Sequence, residues 1–202
     1  MPVLENQLIV IKHYATKAHE AAKAKGWWNE PSSMPTLKAL IISELCEALE
    51  ADRTGRHANV AYFKHRLAEI ESSINSPVQG EILTQHYKTL FKSHIKDSVS
   101  DELADAAIRI LDVLGWNKKK LGSYKGTFVM SDEALAFFTF SENIYEIIKE
   151  VVQSSPRDNY FLLIPLRYIE ALAESLNIDL IWHIEAKLRY NKLRGHKHGK
   201  KY

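Results

Sequence analysis

Four acids arranged as two pairs are the groups in this chain best suited to chemistry. Glu44 and Glu47 stand three residues apart in TLKALIISELCEALEADRTG, and Glu102 and Asp105 repeat the spacing in SDELADAAIRILDVLG. On a helix, residues at i and i+3 share a side with Cβ atoms about 5–6 Å apart. If the two helices face each other, four carboxylates meet. Two like charges about 4 Å apart repel by roughly 4 kcal/mol at an effective dielectric near 20, so such a cluster calls for cations. Hard oxygen ligands at this density suit Mg²⁺, with Mn²⁺ as an alternative, and Mg²⁺ usually shares its shell with water and substrate phosphate.

The elements that must carry these acids are legible around them. Pro35 suits a helix start, and Gly55 and Gly115 stand where left-handed C-terminal caps would fall. Leu37, Ile41, Leu45, Ala48 and Leu49 form the apolar stripe of the first helix, and Leu103, Ala107, Ile110 and Leu114 that of the second. A solvated helix face is the simpler account of either pair alone. The second helix, however, is apolar around most of its circumference, which predicts burial, and buried acids are paired or metal-bound.

A third stretch supplies basic and amide groups. The segment from Asp179, DLIWHIEAKLRYNKLRGHKHGKKY, reads as a helix with Asp179 as N-cap and a basic tail after Gly195. Lys187, Tyr190, Asn191 and Arg194 fall at i, i+3, i+4 and i+7, on one face. Metal-bound carboxylates beside such a face have the parts needed to hold a polyphosphate.

Taken together, Glu-x-x-Glu, a later Glu-x-x-Asp, and K-x-x-Y-N-x-x-R followed by H-G-K-K resemble the motifs of the MazG-like, all-α nucleoside triphosphate pyrophosphohydrolase superfamily. The resemblance implies an all-α bundle and Mg²⁺-dependent hydrolysis of a nucleotide between its α and β phosphates, giving monophosphate and pyrophosphate. It implies Glu44, Glu47, Glu102 and Asp105 as metal ligands and catalytic groups, with Lys187, Asn191 and Arg194 gripping the phosphates and Tyr190 donating a hydrogen bond to the substrate or packing. It also implies a homodimer or homotetramer. Relative to minimal members, two segments read as insertions, at about 57–97 and 116–165. They leave the base, the sugar and the exact nucleotide open.

The remaining sequence predicts one domain. A chain of 202 residues, 46% hydrophobic, is long enough for one sizeable core. A single cysteine, Cys46, excludes an intramolecular disulfide, and no apolar run approaches a membrane span. With MPVLENQLIV lacking the pattern of a signal peptide, the expectation is a cytoplasmic protein without a membrane partner.

Leu4, Leu8, Ile11, Ala15, Ala18 and Ala22 predict a first helix ending near Gly26. Trp27 and Trp28 follow it; at least one ring anchors the junction, and the other is available to stack on a nucleobase. Helical spacing over about Val60 to Ile74 and Glu81 to Ile95 predicts an inserted hairpin, whose histidines show no metal spacing. Phe128 to Met130 read as a short extended piece, and Asp132 to Val152 as a helix with aromatics (Phe137, Phe138, Phe140) suited to core or subunit interface. Pro165 begins or kinks a last apolar helix.

Seven Lys or Arg and no acid lie between Lys187 and Tyr202, while the rest of the chain carries five more acids than bases. Nucleic acid is not the expected partner on the family resemblance, which folds the tail over phosphates. The competing reading is a noncatalytic helical protein that binds nucleic acid or a protein partner through this tail.

Overall fold

The structure is a computed structural model that describes residues 2–73, 79–117, 138–158 and 161–199. It is all-helical, with eight α-helices and no strand among the described residues. These are α1 (Pro2–Ala24), α2 (Met34–Arg53), α3 (Val60–Ser73), α4 (Gln79–His94), α5 (Val99–Trp116), α6 (Phe140–Gln153), α7 (Leu163–Ser175) and α8 (Leu180–Lys192), followed by a 3₁₀ turn over His196–Gly199. None of them is long and apolar enough to cross a membrane. The extended piece expected at Phe128 to Met130 and the first part of the helix expected from Asp132 lie outside the described residues.

Local chemistry fixes most of the boundaries. Ser33, Ser98 and Asp179 each cap a helix by accepting a backbone N–H three residues on, from Thr36, Asp101 and Trp182. Thr139 and Glu142 form a reciprocal capping box at the start of α6. At the end of α2, Gly55 takes a positive φ of 66°, the left-handed turn expected of it. Gly115 does not end α5 in this way. The helix continues through Trp116, and Gly115 is instead a packing residue: a Cβ there would lie 2.2 Å from the Ala15 carbonyl oxygen of α1.

α5 is the axis of the fold. It is flanked by α1, α2, α7 and α8, and Leu103, Ala104, Ala106, Ala107, Ile110 and Leu114 are fully buried. Burying a leucine or isoleucine side chain contributes about 1.5–3 kcal/mol, so the apolar circumference of this helix is what draws its neighbours in. α6 lies on α2, and α7 joins α6 to α5. The α3–α4 hairpin packs on itself and on α8 through a second cluster of Phe63, Tyr87, Phe91, Ile95, Ala186 and Tyr190. There Phe91 stacks on Tyr190 at 4.4 Å, and the Tyr87 hydroxyl donates to the Ala186 carbonyl at 2.8 Å.

Candidate metal centre

The packing of α2 on α5 brings the two acidic pairs together. Glu44 and Glu102 are buried, Glu47 is exposed one turn further along α2, and these three carboxylates present oxygens within 4.8 Å of one another. Asp105 is one turn along α5 from Glu102, close enough to raise the pKa of both Glu44 and Glu102. The four acids paired by sequence spacing thus lie in one locality.

Asp101, which spacing alone did not single out, belongs to the same locality. It is 1% exposed at the start of α5, where acids are favoured by the helix dipole. Its Oδ2 accepts from the Asp97 backbone N–H at 3.0 Å and from the Lys187 ammonium at 2.6 Å. Lys187 Nζ also lies 2.7 Å from Asp105 Oδ2. Burial alone would lower the Lys187 pKa, but Asp105 and Asp101 outweigh it and hold the ammonium charged. Asp101 is nonetheless raised to about 6, because burial exceeds the help it gets from Lys187.

Arg109 is the other unpredicted partner. It stands four residues after Asp105 on the same face, and its Nε and Nη2 both reach Glu44 Oε1, at 2.6 and 2.5 Å. Even so, burial and then Asp105 raise the Glu44 pKa above the usual carboxylate range.

Two acidic groups share Glu102, and counter-ions distinguish them. Asp97, Asp101 and Glu102 form the second group of neighbouring oxygens. Asp97, in a left-handed conformation at φ 60°, is already met by Lys96 and by Arg56 Nη2 at 3.4 Å, and Asp101 is met by Lys187. In the Glu44, Glu47 and Glu102 group, Arg109 covers one oxygen of Glu44, and no cationic side chain reaches Glu47 or Glu102 among the described residues. Burial, and after it Asp105, pushes Glu102 up to about 9 despite Lys187. That carboxyl keeps its proton at neutral pH unless another cation takes the proton's place.

The residues fit a hard divalent cation. All donors are carboxylate oxygens, the chemistry that suits Mg²⁺ or Mn²⁺. Asp101 Oδ1, in the second group, is buried with no hydrogen-bond partner, a cost that a cation or water there would relieve.

The other expected site residues are placed as follows. Tyr190 is 2% exposed, stacked on Phe91 of the hairpin. Asn191 Oδ1 accepts from Arg194 Nη1 at 3.3 Å. Lys187 is committed to two aspartates, so of the expected phosphate-binding face only Asn191 and Arg194 retain some exposure. Trp28 stacks on Trp116 at 5.6 Å and donates from Nε1 to Asp112, whose carboxylate also meets His19 Nδ1 at 2.8 Å. Burial raises Asp112 to about 7, against the opposing effects of Trp28 and Arg109. Trp27 lies edge-on to His198 at 5.7 Å.

The basic tail turns back onto the end of α1. Lys25 Nζ donates to the carbonyls of Lys192 and Arg194, the Lys197 N–H donates to the Lys25 carbonyl, and His196 rests against Gly26. An open concavity at the α7–α8 turn, lined by Glu170, Glu174, Asn177 and Asp179, contains none of the clustered carboxylates. No family model, curated protein or solved structure matches the chain.

Proposed function

We propose that this chain is a divalent-cation-dependent hydrolase of nucleotide phosphoanhydrides, of the MazG-like pyrophosphohydrolase kind. It adds the elements of water across the α–β bridge of a nucleoside triphosphate to give monophosphate and pyrophosphate. The observation that carries this reading is the Glu44, Glu47 and Glu102 group, convergent and partly buried, with no side-chain cation on Glu47 or Glu102 among the described residues. A divalent cation bound there supplies charge neutralisation at the phosphates and acidifies an attacking water.

The chain's own residues divide the remaining work. Glu44, Glu47 and Glu102 would hold the cation, and Asp105, whose Oδ2 meets Lys187, stands beside them. Glu102 would release its proton to solvent on taking up the cation. Lys187 holds Asp101 and Asp105 in place, which is a positioning role. Asn191 and Arg194, partly exposed at the end of α8, meet the phosphate chain. Trp27 and Trp28 frame the nucleoside end next to Asp112 and His19. Self-association belongs to the same reading: Tyr145 and Val152 are exposed seven residues apart along α6, and Phe138 is exposed just before its N-cap, apolar groups suited to a second copy.

The test is turnover of a panel of ribo- and deoxyribonucleoside tri- and diphosphates with Mg²⁺, with all phosphate products resolved by ion exchange. Monophosphate and pyrophosphate in equal amounts, abolished in Glu102→Gln, are expected. Substantial turnover by Glu102→Gln, or no turnover of any nucleotide, would overturn the reading. In the second case, steeply salt-dependent RNA or DNA binding would favour the basic tail as the functional element.

A further inference from the structure

Among the described residues, Arg109 is the guanidinium that pairs with the Glu44, Glu47 and Glu102 group. It stands on the same face of α5 as Glu102 and Asp105, about 6 Å along the axis beyond Asp105. Both of its contacts, from Nε and Nη2, converge on a single oxygen, Glu44 Oε1. Nη1 meets no acceptor among the described residues, and the side chain is 27% exposed, so its outer edge faces the rim of the site.

A guanidinium offers five N–H donors in a planar fork suited to two oxygens of a phosphate. Here that fork is half engaged. Its partner is also one of the three acids of the cation-binding group, so the guanidinium and a divalent cation place like charge on the same carboxylate.

We propose that Arg109 is a phosphate-binding residue held on Glu44 until substrate arrives. Before substrate, it neutralises Glu44. When cation and polyphosphate bind together, the cation takes over Glu44 and the guanidinium turns its free edge to the phosphate oxygens. The inference rests on the hydrolase reading and adds to it a residue that couples cation occupancy to phosphate capture.

The test uses the full chain with Mn²⁺ and inorganic pyrophosphate as probes, comparing wild type, Arg109→Gln and Arg109→Lys. Mn²⁺ binding without nucleotide is followed by electron paramagnetic resonance, and pyrophosphate binding in saturating Mg²⁺ by calorimetry. A charge-assisted contact predicts that Arg109→Gln weakens pyrophosphate binding about 10–100-fold, with Arg109→Lys in between. Mn²⁺ affinity in Arg109→Gln is expected to equal or exceed that of wild type, because a competing positive charge is gone.

Unchanged pyrophosphate binding in Arg109→Gln would overturn the role assigned to Arg109 while leaving the hydrolase reading intact. Parallel loss of Mn²⁺ binding in both variants would make Arg109 a structural support of Glu44, again overturning the proposal alone. Wild-type protein that binds neither probe would overturn the hydrolase reading and this inference with it.

Discussion

The Lys187 ammonium sits 2.6 Å from Asp101 Oδ2 and 2.7 Å from Asp105 Oδ2, and it joins α8 to the charged end of α5. Removing one partner of a buried ion pair costs about 3–5 kcal/mol, because the remaining charge has no compensation. Lys187→Met is therefore expected to lose that much in urea unfolding. The triple variant Lys187→Met, Asp101→Asn, Asp105→Asn should recover most of it. A loss below about 1 kcal/mol in the single variant would show that water still reaches the pair.

Glu102 links pH to stability. Its folded pKa, about 9, lies above the ordinary carboxylate value, so the folded state binds the extra proton between those two values. Stability in the absence of divalent cations then falls as pH rises through that window. A cation that replaces the proton reverses the trend. Scanning calorimetry should find that Mg²⁺ raises Tm by several degrees at pH 8.5 and by much less at pH 5.5. Equal shifts at both pH values would argue against Glu102 as a ligand.

Gly115 tests the axis of the fold. An alanine Cβ would meet the Ala15 carbonyl at 2.2 Å and the His19 Cβ at 2.7 Å, so α1 must move away. Overpacking of this kind costs about 1–3 kcal/mol or more. Gly195→Ala, with nothing within 4 Å of the added carbon, is the control and should stay within about 0.5 kcal/mol of wild type. Similar losses in the two variants would contradict the close approach of α1 to α5.

The all-helical fold was legible because its signals are local. The 3.6-residue stripes of α2 and α5 and Asp179 as a cap each act within a few residues. That Glu44, Glu47, Glu102 and Asp105 could meet was legible for the same reason, as i and i+3 pairs on two amphipathic helices, the second expected to be buried. Gly115 was misread because a glycine near a helix end satisfies two rules, and the choice between cap and close packing depends on Ala15, a hundred residues away.

The counter-ions were hidden for that reason too. Lys187 looked like a phosphate ligand on its own helical face, and only the docking of α8 on α5 commits it to Asp101 and Asp105. Asp101 and Arg109 carried a usable signal. The first sits in the opening turn of a buried helix, and the second shares the face of Glu102 at i+7.

The placement of the cation is the claim on which the functional account stands. Mn²⁺ titration followed by electron paramagnetic resonance, applied to wild type, Glu47→Gln, Glu102→Gln and Asp97→Asn, separates the two acidic groups directly. The account predicts that Glu102→Gln and Glu47→Gln weaken Mn²⁺ binding at least tenfold, while Asp97→Asn binds as wild type does. Loss of binding in Asp97→Asn with full binding retained in Glu47→Gln would contradict it.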